Sequence, residues 1–168
     1  GVRVAVMDTG VNATGLDLRD AVVVEKCMVD PPSLCPAAPH EADDAQGHGT
    51  AVAGIVASRG KRAPKGVAPK AEIIAVKLME RRDDTFPGSV LLAALDWAAD
   101  RDDIDVINLS VGSGAYEGDC DRADAYTRGL AALVAALRAK SVSVVAASGN
   151  DGQVNKMSAP ACLAGVLS

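Results

Sequence analysis

Three polar residues in this sequence have the side-chain types that acyl transfer needs, and each stands beside an apolar run. Asp8 ends VRVAVMD, Asn150 ends VVAASGN, and His48 lies between two glycines in QGHGTAVAG. A carboxylate can orient an imidazole by accepting its Nδ1 hydrogen, which leaves Nε2 to act as a base. A side-chain amide can donate a hydrogen bond to an oxyanion. Asp8, His48 and Asn150 are therefore candidate catalytic residues.

Each of these residues also has a structural interpretation. Aspartate is common after a strand, and Asn150 stands in SGNDG, whose residue types favour a turn. A single histidine, taken alone, is usually structural. The triplet DTG at Asp8 also occurs in aspartic peptidases, where two such aspartates share a proton, but here it occurs once and without an all-β pattern. A zinc site is disfavoured, because His40 is the only other histidine and no HExxH motif is present.

The elements that must position these residues alternate between strands and helices. Apolar runs predict strands, and apolar residues at helical spacing predict helices. The predicted strands span residues 2–8, 21–25, 71–79, 105–112, 142–150 and 163–168, and the predicted helices span residues 48–58, 88–101 and 123–140. Alternation of this kind is typical of βαβ units. We therefore expect an α/β fold in one domain, residues 1–168: a three-layer, doubly wound, mostly parallel sheet with helices on both faces.

In such sheets, functional groups gather at the carboxyl ends of the strands. This rule indicates four places: Asp8 to Gly10, Glu80 to Asp84, Ser110 to Gly112, and Gly149 with Asn150. Nucleotide binding is disfavoured, because neither GxGxxG nor GxxxxGK[ST] follows a strand. The net charge of −5 also disfavours nucleic acid as a partner, and no apolar run is long enough to predict a membrane span.

The four cysteines allow three disulfide pairings, and their spacing matches no common zinc motif. Cys27 and Cys35 flank the proline-containing segment CMVDPPSLC and would close a short ring. We favour the pairs Cys27–Cys35 and Cys120–Cys162, which would place the protein in a secreted or extracytoplasmic setting. Four unpaired thiols in a cytosolic protein are the alternative.

Five motifs, taken in order, resemble those of the subtilisin-like serine peptidases (subtilases). VAVMDTGVN resembles the segment with their catalytic aspartate, and GHGTAVAGIVA the segment with their catalytic histidine. GVAPKAEIIAVKLM resembles the strand that follows, VINLSVG the substrate-binding strand, and VVAASGNDG the segment with the oxyanion asparagine. The resemblance runs from Val2 to Ser168 and implies the subtilisin-like fold and peptide-bond hydrolysis by an Asp-His-Ser triad.

The resemblance assigns roles to individual residues. Asp8 and His48 match the first two members of the triad, and Asn150 matches the oxyanion donor. Substrate-binding roles fall on Ser110, Val111 and Gly112 in the substrate strand, on Gly149 across the S1 pocket, and on the loop from Lys77 to Gly88 at the opposite edge. A peptide or protein substrate would lie extended between these edges as an added strand. The small residues around S1 imply a broad or apolar preference.

The sequence departs from the family pattern in two ways. Ala51 stands where many members have a second histidine outside the triad. More important, no Gly-Thr-Ser motif follows Asn150, and Ser158 lies too early to match the nucleophile. We therefore expect a fragment of a catalytic domain that is inactive alone and that self-associates through exposed apolar surface. The alternative is a non-catalytic, peptide-binding pseudopeptidase domain.

No cofactor or metal site is expected from these residues, although calcium is possible in a full-length enzyme of this family. Asp17 matches a position that ligates calcium in some members. The segment Arg59 to Lys65, which would supply the other ligands, is basic and contains neither carboxylates nor amides. A turn or helix cap is the structural alternative for Asp17.

Overall fold

A computed structural model describes residues 1–80 and 86–168. The strands are β1 (Arg3–Asp8), β2 (Val22–Cys27), β3 (Glu72–Lys77), β4 (Val106–Leu109), β5 (Ser113–Glu117), β6 (Ser143–Ala146) and β7 (Lys156–Ala159). The helices are α1 (His48–Ala57), α2 (Gly88–Ala99) and α3 (Ala125–Ala139). None of these helices is long and apolar enough to cross a membrane. Residues 81–85, which belong to the predicted segments Glu80 to Asp84 and Lys77 to Gly88, lie outside the described residues.

Five parallel strands form the main sheet in the order β2-β3-β1-β4-β6, with β1 at its centre. Strands β1 and β3 read as continuous apolar runs because helices cover both faces of the sheet. On one face, Val6 and Ile73 share an apolar cluster with Ala53 and Ala57 of α1. On the other face, a larger cluster joins the sheet to α2 and α3. The predicted α/β fold, with a parallel sheet and helices on both faces, is confirmed.

The carboxyl ends of the last strands differ from the prediction. The predicted strand 105–112 ends at Leu109, and the chain then forms β5, which pairs antiparallel with β7 in a separate two-stranded sheet. Gly114, at φ +67°, lies within β5 and accompanies an irregularity in that pairing. The predicted strand 142–150 ends at Ala146, before Gly149 at φ +120°. Both segments therefore leave the main sheet near a glycine whose backbone is not extended.

The prediction of a strand over residues 163–168 is also wrong. Turn hydrogen bonds from Leu163 to Pro160 and from Val166 to Leu163 shape this segment instead. Leu167 alone forms a parallel bridge, to Val145 of β6. An apolar run six residues long is thus used here for turns over the apolar core rather than for a strand, because local N–H groups find carbonyl partners three residues back.

Both predicted disulfides are present, and they include all four cysteines. The Cys27–Cys35 bond ties the end of β2 to the residue after a short 3-10 helix, Pro32–Leu34. The Cys120–Cys162 bond joins the segment before α3 to the segment after β7, and the Cys120 N–H also donates to the Cys162 carbonyl. Each disulfide therefore fixes a loop that follows a strand.

Candidate active site

The structure brings Asp8 and His48 into direct contact. Asp8 ends β1 at the carboxyl edge of the sheet, and His48 begins α1. Asp8 Oδ1 lies 2.7 Å from His48 Nδ1. The Asp8 side chain is 1% exposed, whereas that of His48 is 25% exposed. Because a carboxylate only accepts, Nδ1 of the imidazole must carry the hydrogen, and a neutral ring then has an unprotonated Nε2.

The glycine after His48 is required by this approach of helix to sheet. A Cβ on Gly49 would lie 2.1 Å from the Gly10 carbonyl oxygen and 3.0 Å from Asp8 Cβ. Gly10 itself has φ +108°, and a Cβ there would lie 2.4 Å from the Ala42 carbonyl oxygen. The first turn of α1 therefore rests directly on the backbone that follows β1, which is what allows the short Asp8–His48 hydrogen bond.

Asp44 is a site residue that was not predicted from the sequence, and it binds Thr9, which lies in the predicted segment Asp8 to Gly10. Asp44 Oδ1 accepts hydrogen bonds from the N–H groups of Gln46 and Gly47, at 3.0 and 2.8 Å, and from the Thr9 hydroxyl at 3.0 Å. Asp44 Oδ2 accepts from the Thr50 N–H at 2.9 Å and from the Thr50 hydroxyl at 2.6 Å. An aspartate just before a predicted helix is a known capping signal and could have identified this residue.

These hydrogen bonds decide the charge state of Asp44. Burial works to raise the pKa of its carboxyl group, because an apolar environment disfavours the charged form. The Thr50 hydroxyl and the backbone N–H groups of Gly47, Thr50 and Gln46 stabilise the carboxylate. Their combined effect is larger, and the pKa of Asp44 is lowered. A full negative charge therefore lies at the N-terminus of α1 at neutral pH.

Lys77, the first residue of the predicted substrate-facing loop, lies beside the Asp8–His48 pair. It is paired in register with Asp8, and its side chain is 1% exposed. Its ammonium group donates to the Asp43 carbonyl at 2.7 Å and lies 3.1 Å from a Glu80 carboxylate oxygen. A buried ammonium needs such partners, because an unpaired charge in the interior is costly. Lys77 thus fastens the segment before α1 to the end of β3.

The predicted substrate-binding residues lie on the side of β1 opposite to β3 and Lys77. Ser110, Val111 and Gly112 follow β4, which is next to β1 in the sheet, and the Ser110 hydroxyl accepts a hydrogen bond from Asn108 Nδ2 at 3.0 Å. A Cβ on Gly112 would lie 2.8 Å from Ser158 Cβ. Because Ser158 is packed so closely against the segment after β4, position 112 has no room for a side chain.

Gly149 and Asn150 follow β6, the next strand of the sheet. A Cβ on Gly149 would lie 2.8 Å from the Ser158 hydroxyl, so the structure brings Gly112 and Gly149 together around this serine. Ser158 is 8% exposed, and its position between the two glycines was not predicted. Asn150 is exposed, and within residues 1–80 and 86–168 its side chain forms no hydrogen bond. Its amide is therefore accessible to a ligand.

Two cavities border these residues. One, of about 130 Å³, has Gly149 and Ser158 in its wall together with polar neighbours that include Ser148, Asp151 and Lys156. The other, of about 170 Å³, is mainly apolar and lies beside Val111 and Gly112; its wall includes Phe86, Leu91 and Tyr126. The apolar cavity thus borders Val111 and Gly112, whereas the polar cavity lies beside Gly149 and Ser158.

Asp17 does not fit a calcium site. Its carboxylate accepts hydrogen bonds from the N–H groups of Lys61, Arg62 and Ala63, at 2.5 to 3.2 Å. These groups are donors, whereas Ca²⁺ requires oxygen ligands. Among the described residues, no group of three or more His, Cys, Asp or Glu side chains is arranged to hold a metal ion. Asp17 instead fastens the basic loop to the segment before β2.

Comparisons with known proteins agree with this arrangement. The sequence model of the subtilase family (Peptidase_S8) matches residues 1–168. The chain is 34% identical to subtilisin BL of Lederbergia lenta over 169 residues, which cover 99% of the chain and 54% of that protein. It is 33% identical to subtilisin-like protease 3 of Pseudogymnoascus destructans over 157 residues, which cover 90% of the chain and 33% of that protein.

A solved structure shares the fold. Sphericase superimposes with a TM-score of 0.76 at 28% identity, over 96% of this chain and 50% of that one. The chain therefore spans about half the length, or less, of the proteins that it matches. The match of the family model to all 168 residues leads to one conclusion: the chain belongs to the subtilase family.

Proposed function

We propose that this chain supplies the Asp–His half and the oxyanion side of a serine endopeptidase site. The observation that carries the proposal is the 2.7 Å contact between the buried Asp8 carboxylate and His48 Nδ1. In this arrangement Asp8 fixes the tautomer and orientation of the ring, and His48 Nε2 accepts the proton of a serine hydroxyl. Asn150 donates its amide hydrogen to the oxyanion that forms when the serine attacks the peptide carbonyl.

The substrate in this proposal is an extended peptide or protein segment. Its backbone would pair with Ser110 to Gly112, and its side chains would enter the apolar cavity beside Val111 and Gly112 and the polar cavity beside Gly149. The apolar cavity near Phe86 suits an apolar side chain. The polar lining of the cavity at Gly149, with Asp151 and Lys156, favours small or polar P1 side chains. This proposed P1 preference for small or polar side chains differs from the broad or apolar preference expected from the sequence.

The chain alone should not hydrolyse peptides by this route. None of its ten serines stands in a Gly-Thr-Ser motif after Asn150. His48 would therefore have no nucleophile to activate within these 168 residues. Catalysis requires a serine-bearing segment, either a continuation of this chain or a second polypeptide that packs against the sheet.

A fluorophosphonate probe, which labels an activated serine, tests both parts of the proposal. The 168-residue chain should not be labelled; rapid labelling that depends on His48 would contradict its inactivity. A longer protein, in which a Gly-Thr-Ser segment such as that of subtilisin BL follows residue 168, should be labelled and should cleave a chromogenic peptide. If this longer protein folds and remains unlabelled, that result would support the non-catalytic peptide-binding alternative.

Three variants of the longer protein would assign the roles. Asp8→Asn should lower kcat by about 10⁴-fold, as it does in other Asp-His-Ser enzymes, because the ring then loses its required tautomer. Asn150→Ala should lower kcat by about 10² to 10³-fold, a range known from subtilisin, a member of this family. His40→Ala is a matched control, since His40 pairs with Glu25 instead, and activity should be retained.

We also propose a secreted or extracytoplasmic location and self-association of the isolated chain. Two disulfides that include every cysteine support the first proposal, because such bonds persist in oxidising compartments. Exposed apolar side chains support the second, among them Val154 at 95%, Val67 at 90% and Ile55 at 69%. Sedimentation velocity across a range of concentrations should reveal dimers or larger species; a monomer throughout would contradict self-association.

A further inference from the structure

One carboxylate binds both segments that carry the Asp8–His48 pair without touching either catalytic side chain. Asp44 Oδ1 accepts from the hydroxyl of Thr9, the residue after Asp8, at 3.0 Å. Asp44 Oδ2 accepts from both the N–H and the hydroxyl of Thr50, two residues after His48. Asp44 therefore joins the end of β1 to the first turn of α1.

Thr9 transmits this contact to the pair. Its hydroxyl donates to Asp44 and accepts from the Gly49 N–H at 2.9 Å. A hydroxyl has one hydrogen, so its donation to Asp44 orients the oxygen lone pair toward Gly49. The Thr9 N–H donates to Asp8 Oδ1 at 2.7 Å, the same oxygen that accepts from His48 Nδ1. The bonds that set the position of Asp8 Oδ1 are thus continuous with those of Asp44.

Asp44 is itself held by the core rather than by a loose loop. Lys77, buried at the end of β3, donates to the Asp43 carbonyl at 2.7 Å. The Val11 N–H donates to the Ala42 carbonyl at 2.8 Å. A residue anchored from both preceding positions can define the geometry of the groups that bind to it.

The negative charge of Asp44 also lies at the N-terminus of α1, beside His48. A helix N-terminus carries a partial positive charge, which disfavours an imidazolium at its first residue. His48 occupies that first position in α1, and the helix has no acidic residue in its first turn. The Asp44 carboxylate, bound to the N–H groups of Gly47 and Thr50, offsets this charge beside His48.

We propose that Asp44 is a positioning residue, which acts through Thr9 and the first turn of α1 to hold the Asp8 carboxylate and the His48 ring in hydrogen-bonding contact. The role of His48 as a base rests on the proposed function. The contact itself is a property of the 168-residue chain and can be measured without a nucleophile.

The Nδ1–H resonance of His48 reports this contact directly. A hydrogen on Nδ1, with a buried carboxylate oxygen 2.7 Å from that nitrogen, gives a far-downfield NMR signal that exchanges slowly with water. Selective ¹⁵N-histidine labelling yields two ring spin systems, because the chain has only two histidines. Asp44→Asn should lose the His48 signal through water exchange and leave the ring signals of His40 unchanged. Asp43→Asn, which removes an exposed charge one residue away, should keep it.

Variants at Thr9 test whether Asp44 acts through the Thr9 hydroxyl. Thr9→Ser retains the hydroxyl and should keep the signal, whereas Thr9→Val removes the hydroxyl and should lose it. Amide spectra of each variant separate a local loss from unfolding; if Asp44→Asn does not fold, the Thr9 pair decides. A folded Asp44→Asn protein with the wild-type signal would overturn the proposal, as would a Thr9→Val protein that matches Thr9→Ser. Either result would leave the proposed function intact, whereas a wild-type chain without the signal would contradict the Asp8–His48 pair on which both depend.

Discussion

The close approach of α1 to the end of β1 predicts opposite effects for the same substitution at two glycines of one helix. Gly49→Ala places a methyl group 2.1 Å from the Gly10 carbonyl oxygen, where an ordinary contact is 3.4 Å or more. The helix or the turn must retreat by roughly 1 Å, and such forced shifts cost about 1–3 kcal/mol. Gly54→Ala has no atom within 4 Å of the new methyl group and gains only the helix propensity of alanine, about 1 kcal/mol.

The same propensity gain partly offsets the clash at position 49. Because two backbone segments and Asp8 meet there, we expect the cost near its upper end and a net loss of about 2 kcal/mol for Gly49→Ala. Thermal unfolding should then show a Tm about 6 °C lower for Gly49→Ala and about 3 °C higher for Gly54→Ala. The Nδ1–H signal of His48 should be lost in the first variant only. If Gly49→Ala were as stable as Gly54→Ala, the helix would not rest on the Gly10 turn as described.

Two further predictions concern stability. Replacing Cys120 and Cys162, which are 42 residues apart, by serine should lower the free energy of unfolding by about 4 kcal/mol according to the chain-entropy relation. The same change at Cys27 and Cys35, eight residues apart, should lower it by about 2.6 kcal/mol. Denaturant titrations that reverse this order would refute the prediction. The pKa of Asp44 is lower in the folded protein than in the unfolded chain, where it is about 4. The resulting stabilisation is present above that unfolded pKa and is lost as the pH falls through the lower folded pKa. The stability of Asp44→Asn should therefore fall less steeply in acid than that of the wild type, and equal acid profiles would contradict this linkage.

The central part of the fold could be predicted from the sequence because its strands are buried on both faces. β1 and β3 contain runs of apolar residues bounded by polar ones, and the apolar residues of α2 and α3 recur at helical spacing. The small sheet of β5 and β7 could not be predicted in this way. Its strands, SGAYE and KMSA, are short and largely exposed or polar, and their pairing joins positions 39 to 46 residues apart, such as Glu117 with Lys156 and Ser113 with Ala159.

The site shows a similar division. Asp8 and His48 were recognisable because their residue types are uncommon beside an apolar run and a pair of glycines, and the motif order led to the roles that we propose for them. The way Asp44 and Lys77 hold the pair was not recognisable, because the sequence marks Asp44 at most as a helix cap and Lys77 only as the start of a loop. Only the fold shows that Asp44 binds Thr9 and that Lys77 is buried. Long-range polar contacts of this kind leave no periodic pattern in the sequence.

Most hydrogen bonds that hold the Asp8–His48 pair come from residues close in sequence to Asp8 or His48. Thr9 and Gln46 bond directly to the pair, and Asp44, Gly49 and Thr50 hold the two segments together. Two later residues also contribute: the Leu78 N–H donates to the Asp8 carbonyl, and Lys77 donates to the Asp43 carbonyl. None of these contacts involves the substrate strand or the oxyanion side. The pair is therefore oriented within this chain alone. Under the proposed function this preorganisation would favour catalysis, since groups that are already oriented need not reorganise during the reaction. A serine-bearing segment would then have only to bring its hydroxyl to His48 Nε2.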